Sequence, residues 1–315
     1  MDGLLVVDKP SGPTSHDVVA RTRRALRERS IGHTGTLDPM ASGVLPLLIG
    51  RATRLARFMT AEEKRYDAVV LLGFATDTAD ATGQTVSPLW GGAWPDADAI
   101  NSALAAFRGT FLQQPPAYSA KKVGGERSYR LARRAKRGAT LTSVDSQDRH
   151  PEPTLPLPAQ VTAFNIDITA IEGNRVSLAV TCSSGFYVRS LAHDLGQALG
   201  VGGHLASLRR TATSGVTLED AVTLDELESG LRAAETAVLP MARMLPHFSA
   251  VHLNRPGAAR ARQGRELGPA DSDVGLPAMD AGPGPFRLID PDGMLIGLAD
   301  RSDRPGLLHP AVILM

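Results

Sequence analysis

Cysteine is the scarcest residue in this 315-residue sequence, with Cys182 as its single example. One thiol cannot form a disulfide within the chain, so we expect a reducing, cytoplasmic environment. The same count excludes a zinc site built on cysteines. No run of about 18 apolar residues occurs, and we therefore expect no membrane span. The apolar run near the N-terminus, from Leu4 to Val7, is too short for a signal peptide.

The sequence also lacks the glycine fingerprints of nucleotide-binding folds. Neither GxGxxG nor GxxxxGK[ST] occurs, which excludes the usual dinucleotide and P-loop sites. The net charge is only +1, so a globally basic nucleic-acid-binding protein is excluded as well. Any contact with a polyanion has to come from local patches of basic residues.

Three such patches are present. The segment 121–137 holds eight Lys or Arg residues and one acid, and the segment 21–29 holds five Arg and one Glu. A third patch spaces Arg51, Arg54 and Arg57 three residues apart. For any one patch, a solvated helix face is the better interpretation. Three patches in a nearly neutral chain shift the balance toward a polyanionic partner.

Coarse patterns predict an α+β fold with a mixed, largely antiparallel sheet. Strands are predicted over "GLLVV" and from about Tyr66, and two alternating segments around "EGN" predict an antiparallel hairpin. Helices are predicted from Thr14 or Ser15 to about Arg29, over "RATRLARFM", over "DADAINSALAAF", and from "SSGFYVRS" to near Gly200. Strands and helices alternate without a strict βαβ order, which favours α+β.

Two changes in amino-acid composition divide the chain. The proline-rich segment 145–160 predicts an exposed loop. From about Pro246 the sequence becomes rich in Gly, Pro and Ala, and its last part predicts a hairpin around the turn from Asp290 to Gly293, followed by a final strand. We therefore predict a large domain over residues 1–246 and a small β-rich domain over residues 247–315.

The stretch "IGHTGTLDPMASGVLP", residues 31–46, places Asp38 on a loop, where functional residues are over-represented. Taken alone, an Asp before Pro is more often a turn or cap residue. A glycosidase would need two carboxylates. This region offers only Asp38, with Asp77 and Asp80 in a separate turn.

Six segments carry a resemblance by their order and spacing: "DKPSGPTSHDVV", "GHTGTLDPMASGVLPLLIGRATRL", "KRYDAVVLLGFATDTADATG", "PPAYSAKKVGGERSYRLAR", "SSGFYVRSLAHDLG" and "LRRTATSG". Together they resemble the motifs of the TruB-type family of bacterial tRNA pseudouridine-55 synthases, over about two thirds of the chain. The resemblance implies the pseudouridine synthase fold followed by a PUA-like RNA-binding domain. It also implies isomerisation of the T-loop uridine of tRNA to pseudouridine, with no metal and no organic cofactor.

The resemblance assigns the catalytic residues. Asp38 matches the nucleophile, which attacks either the anomeric carbon of the ribose or carbon 6 of the uracil, and the sequence leaves both routes open. Arg189 matches the arginine that pairs with the catalytic aspartate. Tyr66 matches the tyrosine that lies against the target base and moves a proton. Without the motifs, Arg189 would be interpreted as a surface residue and Tyr66 as a core residue.

The resemblance also assigns residues that bind the substrate. Tyr187 matches a second tyrosine of the pocket, and Leu208 matches an apolar wall. His33 matches the histidine that fills the space left by the extruded uridine. No acid or second His lies at ligand spacing beside it, so we assign it no metal. The residues that match the RNA-gripping segment, and that we expect to contact phosphates, are Lys121, Lys122, Arg127 and Arg130.

The implied partner is the T-arm of tRNA. A tRNA-binding or tRNA-folding protein with secondary or no catalysis is the alternative, and it predicts that Asp38, Tyr66 or Arg189 is missing, whereas all three are present. A guide-RNA-dependent relative would typically carry extra basic termini, which we do not find. We therefore expect a monomer that requires neither a guide RNA nor a protein partner.

Overall fold

The structure, a computed structural model, describes residues 1–59, 63–119, 121–123, 125–128, 130–131, 134, 155–229, 236–277 and 284–314. The chain forms two compact units. The first unit contains residues 1–39, 43–61 and 216–315, and the second contains residues 40–42 and 62–215. Both contain helices and strands, and the predicted α+β class is confirmed.

Strands and helices are numbered in chain order. The strands up to the middle of the chain are β1 (Gly3–Lys9), β2 (Ile31–His33), β3 (Ser42–Ile49), β4 (Lys64–Leu72), β5 (Gly109–Gln113), β6 (Lys122–Val123), β7 (Glu126–Arg127), β8 (Ala159–Glu172) and β9 (Arg175–Cys182). The later strands are β10 (Gly203–Thr213), β11 (Val216–Thr217), β12 (Ala221–Thr223), β13 (Leu239–Pro240), β14 (Ala250–His252), β15 (Phe286–Ile289), β16 (Leu295–Arg301) and β17 (Leu308–Ile313). The α-helices are α1 (Ser15–Leu26), α2 (Ala97–Ala105), α3 (Val188–Ala198), α4 (Leu224–Ser229) and α5 (Arg255–Arg262). The 3₁₀ helices cover Gly50–Phe58, Leu218–Asp220, Met241–Arg243 and Pro269–Asp271.

The first unit is built around β1 and β3, which pair antiparallel with Leu4 opposite Leu48. Both strands are nearly continuous apolar runs, and they are buried almost throughout, as such runs require. Strand β12 pairs parallel with β1, and β2 pairs antiparallel with β3. Helix α1 begins at a capping box, in which Thr14 and Asp17 satisfy each other's backbone N–H groups.

The C-terminal part of the first unit forms a second sheet in the order β14-β15-β16-β17. The hairpin of β15 and β16 and the final strand β17 confirm the pattern predicted around Asp290. One apolar core in this unit joins residues of both sheets, including Leu4, Leu48, Leu298 and Leu314. The division into units therefore does not follow the boundary predicted at residue 246, and that boundary stays a prediction.

The second unit is an antiparallel sheet in the order β10-β4-β9-β8-β5. Burial alternates along β9, so one face of the sheet is covered, and helix α3 packs against β10. This packing depends on two glycines, because a Cβ on Gly196 would stand 2.2 Å from the backbone nitrogen of Gly203. The predicted hairpin over β8 and β9 is confirmed.

Some predicted elements differ from the structure. The segment "RATRLARFM" is a 3₁₀ helix, consistent with its arginines recurring every three residues. The sequence patterns also missed strands β3, β5, β10 and β14 and helix α5. Most of the proline-rich segment 145–160 lies outside the described residues. Among the residues that are described, no helix has both the length and the apolar content needed to cross a bilayer.

Candidate active site

Asp38 lies on the loop between β2 and β3, and both of its neighbours are held by hydrogen bonds. The Ser15 hydroxyl donates to Leu37 O at 3.0 Å and accepts from Leu37 N at 2.9 Å. On the other side, Pro39 O accepts from Gly12 N at 2.8 Å. Asp38 itself is half-buried. The structure thus holds one carboxylate on a fixed backbone while leaving it partly accessible, as an attacking group requires.

Lys9 supports the same loop from the end of β1. Its side chain is fully buried, and Nζ donates to Pro10 O at 2.9 Å and to Pro39 O at 3.3 Å. A lysine is almost never fully buried unless its ammonium group is satisfied. The two carbonyls therefore give Lys9 a structural part in fixing the backbone next to Asp38.

His33 ends β2, where it stands opposite Leu47 of β3. Its half-buried ring packs edge-on against the exposed ring of His16, with centroids 5.2 Å apart. The next residue, Thr34, donates its N–H to Pro46 O at 3.1 Å. Within the described part of the chain, no three His, Cys, Asp or Glu side chains are grouped so that they could hold a metal ion. His33 is therefore a ring held at the start of the Asp38 loop.

Tyr66 and Leu208 share one face of the β4–β10 pair. Tyr66 stands opposite Arg210, and Ala68 stands opposite Leu208. Tyr66 and Leu208 are each 8% exposed, whereas Arg210 is 1% exposed. The guanidinium of Arg210 donates a hydrogen bond to the phenol oxygen of Tyr66. Sequence reasoning missed Arg210, because only the strand register reveals that it faces Tyr66.

Arg189 lies in the first turn of α3 and is buried, so the interpretation of it as a surface residue is wrong. Its Nη1 donates to Thr78 O at 3.1 Å, and its Nη2 donates to Tyr118 O at 2.8 Å. Nη1 also lies 3.8 Å from the carboxylate of Asp80, which is equally buried. The other oxygen of Asp80 accepts hydrogen bonds from both Thr78 and Thr82.

The turn that carries Asp80 is tied to β10 through Leu205. Ala81 N donates to Leu205 O at 2.9 Å, and Leu205 N donates to Ala79 O at 3.0 Å. The sequence analysis left the position of Asp80 open. The structure brings it to Arg189, and its rigid hydrogen bonding makes it a fixed negative charge beside that guanidinium.

Tyr187 immediately precedes α3 and is half-buried. The side chain of Gln113 forms hydrogen bonds with both backbone polar groups of Tyr187. Tyr187 N donates to Gln113 Oε1 at 2.8 Å, and Gln113 Nε2 donates to Tyr187 O at 3.0 Å. In the same turn, Ser190 Oγ donates to Gln114 O at 2.7 Å. These bonds fix the start of α3, and with it the direction in which Arg189 leaves the helix.

The residues predicted to grip RNA lie on and beside a short hairpin of β6 and β7. Lys122 stands opposite Arg127 in this hairpin, and Ser128 N donates to Lys121 O at 2.7 Å. Lys121 is half-exposed and Arg130 is exposed. The side chains of Lys122 and Arg127 lie outside the described residues, as do residues 124, 129, 132–133 and 135–137 of the basic segment.

A basic concavity lies at the C-terminal end of α1, and we call it the arginine pocket. It has a volume of about 370 Å³ and is lined by Arg23, Arg24, Arg27, Glu28 and Arg29. Arg23 Nη2 donates to Ile31 O at 2.7 Å, which ties the pocket to the strand that ends in His33. A concavity lined by four arginines and one glutamate suits a phosphate.

The third basic patch is used within the protein. Arg51 forms an ion pair with Asp2 at 2.6 Å, and this arginine lowers the pKa of the Asp2 carboxyl. Arg54 donates to the carbonyl of Ile313. Arg57 lies over the ring of Phe58, 4.7 Å from its centroid. For this patch, contacts within the protein explain the arginines better than a polyanionic partner does.

Cys182 does not act as a nucleophile at neutral pH. Burial raises the pKa of its thiol to about 12, which outweighs the opposite effect of the nearby Lys64 ammonium. Its side chain is fully buried at the end of β9. The assignment of Asp38 as the nucleophile stays a prediction.

Comparison with protein families gives two matches. Residues 23–188 match the model for the TruB family pseudouridylate synthase N-terminal domain, and residues 189–246 match the model for the tRNA pseudouridylate synthase B C-terminal domain. The first match contains Asp38 and Tyr66, and the second begins at Arg189.

Curated relatives match the chain over nearly its whole length. A tRNA pseudouridine synthase B of Solibacter usitatus is 42% identical over 318 residues and covers 100% of both chains. The protein of the same name from Thermobifida fusca is 41% identical, covering 99% of this chain and 98% of its own. Among solved structures, a chain in the crystal structure of a Cbf5–Nop10–Gar1 complex has a TM-score of 0.70 at 25% identity, covering 99% of this chain and 85% of its own.

Proposed function

Because this chain belongs to the TruB family of pseudouridylate synthases, we propose that it isomerises uridine 55 of the tRNA T-loop to pseudouridine, with Asp38 as the nucleophile. The observation that carries the assignment of Asp38 is its anchored backbone. Leu37 and Pro39 are both fixed by hydrogen bonds, so the backbone that carries the carboxylate is held in place.

The reaction needs one nucleophile and a proton transfer within the base. The bond between the ribose anomeric carbon and uracil N1 breaks, and a bond from the same ribose carbon to uracil C5 forms. C5 loses a proton and N1 gains one, so no water or second substrate is consumed. Asp38 forms a transient bond either to the anomeric carbon or to uracil C6 and then leaves. We assign no metal and no organic cofactor to this chemistry.

Tyr66 and Arg189 complete the catalytic set that we propose. Tyr66 supplies an aromatic face for the flipped base and a phenol oxygen that can move the proton from C5. The low exposure of Tyr66 supports this role, because proton transfer is better controlled where bulk water is excluded. Arg189 is proposed to pair with the catalytic carboxylate, and its own orientation is fixed by the carbonyls of Thr78 and Tyr118. The pairing of Arg189 with Asp38 stays a prediction.

Three further residues are proposed to receive the uridine. A base inside the T-loop has to be extruded before it can react, at a cost of a few kcal/mol. Leu208 supplies an apolar wall and Tyr187 a second ring for the extruded base. His33 fills the space that the base leaves, a role supported by the way the neighbouring ring of His16 holds it at the end of β2.

The tRNA backbone is proposed to lie against basic residues outside this catalytic set. The candidates on the β6–β7 hairpin and after it are Lys121, Lys122, Arg127 and Arg130. Each phosphate that they neutralise should make the logarithm of the affinity fall by about 0.7 to 0.9 per logarithmic unit of salt. We further propose that the protein acts in the cytoplasm as a monomer, without a guide RNA or protein partner.

The first experiment is pseudouridine formation in unmodified tRNA transcripts, with the modified position mapped and no metal or cofactor added. Wild type is compared with Asp38→Asn, and Asp303→Asn serves as the matched control because Asp303 is exposed on a turn. We expect conversion at uridine 55 by the wild type and the control. The Asp38→Asn variant should bind tRNA with unchanged affinity and give no product.

Two results would contradict these proposals in different ways. A loss of only a fewfold in rate for Asp38→Asn would remove Asp38 as the nucleophile. A folded wild type that binds tRNA but forms no pseudouridine would favour the alternative, a tRNA-binding or tRNA-folding protein.

A further inference from the structure

Arg210 is a buried cation that the proposed mechanism does not use. Its side chain is 1% exposed and is among the largest fully buried side chains of the described residues. Burial lowers the pKa of its guanidinium, and the interaction with Tyr66 opposes that effect. An arginine remains charged in a protein, so this position holds a permanent positive charge away from water. Such a charge is costly to bury, and its partner indicates what it does.

The partner is the phenol of Tyr66. Arg210 stands directly opposite Tyr66 in the antiparallel β4–β10 pair and donates a hydrogen bond to its oxygen. Directly opposite side chains in such a pair lie about 5 Å apart at Cβ. On the other side of Tyr66, β9 presents Val180, which is apolar and buried. The phenol of Tyr66 therefore has the Arg210 cation beside it on β10 and the apolar side chain of Val180 beside it on β9.

The other titratable side chains on this face of the sheet do not substitute for Arg210. Lys64 precedes Tyr66 by two residues and stands opposite Cys182, whose thiol stays neutral because burial raises its pKa to about 12. Lys64 is half-exposed, so water screens its charge. The charge of Arg210 acts at low dielectric and through a direct hydrogen bond, where it is worth more.

We propose that Arg210 is a positioning residue for the isomerisation: its guanidinium holds the phenol oxygen of Tyr66 and stabilises its anionic form. This role rests on the proposed function. After the ribose is rejoined to C5, the C5–H bond breaks, its electron pair returns to the ring, and the phenolate of Tyr66 takes the proton. N1, which the ribose has left, takes up a proton from water, and the phenol of Tyr66 returns its proton to water, so both the base and Tyr66 regain their original number of protons. Arg210 stays protonated throughout.

The test is a double-mutant cycle between Arg210 and Tyr66. The four proteins are wild type, Arg210→Gln, Tyr66→Phe and the double variant. The readouts are the single-turnover rate at saturating tRNA, the Kd for tRNA, and the melting curve, so that all rates are taken where each protein is folded. Arg65→Gln is the matched control, because Arg65 adjoins Tyr66 on β4 but is exposed and pairs with Glu63 at 3.0 Å.

We expect Tyr66→Phe to slow the saturated rate by at least about 100-fold, the usual range for a lost proton-transfer group. Arg210→Gln should slow it by about 10-fold or more in the wild-type background, with Kd changed by less than about threefold. In the Tyr66→Phe background the same change should cost less than about threefold, because the oxygen on which Arg210 acts is already gone. Arg65→Gln should leave the saturated rate unchanged.

A rate penalty for Arg210→Gln that is equal in both backgrounds would overturn the proposal, since it would show that Arg210 does not act through the phenol oxygen. If Arg210→Gln does not fold, the cycle is run with Arg210→Lys, which keeps the charge but loses the fixed guanidinium geometry. The proposal then requires that Arg210→Lys slow the rate more in the wild-type background than in the Tyr66→Phe background. A wild type without activity would overturn the proposed function together with this inference. An active wild type with additive penalties would overturn only this inference.

Discussion

Replacing Arg189 with methionine is expected to destabilise the protein as well as inactivate it. Methionine has nearly the length of arginine but no donor, so Arg189→Met removes the hydrogen bonds to Thr78 O and Tyr118 O. It also leaves the buried carboxylate of Asp80 without the cation that lies 3.8 Å away. These losses occur in the second unit, where the side chains of both Arg189 and Asp80 are less than a tenth exposed.

The magnitude follows from those contacts. A buried carbonyl that loses its donor costs about 1–3 kcal/mol. Breaking a buried ion pair by removing one partner costs about 3–5 kcal/mol. The three terms share one guanidinium and do not add, and the other Asp80 oxygen keeps its hydrogen bonds from Thr78 and Thr82. We therefore expect a total of about 3–5 kcal/mol, a large part of the roughly 5–15 kcal/mol by which a domain is stable.

Urea denaturation measures this change directly. The variant Arg189→Met combined with Asp80→Asn should recover about 1–2 kcal/mol of the loss, because the second change removes the uncompensated charge. Arg65→Met is the matched control, since that side chain is 63% exposed and its ion pair with Glu63 should contribute less than about 1 kcal/mol. A loss below about 1 kcal/mol for Arg189→Met would refute the reasoning. Activities of Arg189 variants should accordingly be compared at a temperature where each variant is folded.

Three other variants test a close backbone approach, a half-buried carboxyl and a basic pocket. Gly196→Ala should cost about 2–3 kcal/mol in urea denaturation, because the new Cβ would meet the Gly203 backbone, which cannot move aside; an unchanged midpoint would show that α3 and β10 separate easily. Burial raises the pKa of the Asp194 carboxyl above the unfolded value of 3.8. As pH rises above 3.8, the folded state therefore binds more protons than the unfolded state, and the stability of the protein falls. Asp194→Asn should therefore raise Tm at pH 7 and leave it unchanged near pH 3, and equal shifts at both pH values would contradict this origin. In the arginine pocket, Arg24→Gln with Arg27→Gln should reduce the salt slope of tRNA binding by about 1.4–1.8, and an unchanged slope would remove the pocket from the RNA interface.

The sequence predicted those strands and helices that have a clear local pattern of apolar residues or a clear helix cap. The apolar run of β1, the alternation of β8 and β9, and the cap of α1 each depend on a few neighbouring residues. Helix α5 was missed because its sequence, "RPGAARAR", contains three arginines and only small apolar residues (three alanines, one glycine and one proline), and tertiary contacts decide its structure. The helix over Gly50–Phe58 was predicted as a helix, but its 3₁₀ type was not.

The catalytic candidates were predicted from ordered motifs, whereas their supporting contacts were not. Asp80 is 109 positions before Arg189, and Tyr66 is 144 positions before Arg210, so no local pattern joins them. Strand register places Arg210 opposite Tyr66, and the attachment of the Asp80 turn to β10 is a further long-range pairing. Register is specified by the whole sheet, and a shift by one residue would turn either side chain to the opposite face.

Two buried arginines among the described residues of the second unit explain why stability and catalysis should be measured separately in this protein. Arg189 and Arg210 each place a guanidinium where desolvation opposes the charge, and an apolar pair of the same shape would often be at least as stable. Their use lies in orientation, because each is held by a defined acceptor: two carbonyls for Arg189 and the phenol of Tyr66 for Arg210. A cation oriented during folding needs no reorganisation when charge moves in the reaction, and it acts at low dielectric. Under the proposed function, burying these two arginines therefore lowers the stability of the folded protein and also lowers the activation barrier to isomerisation.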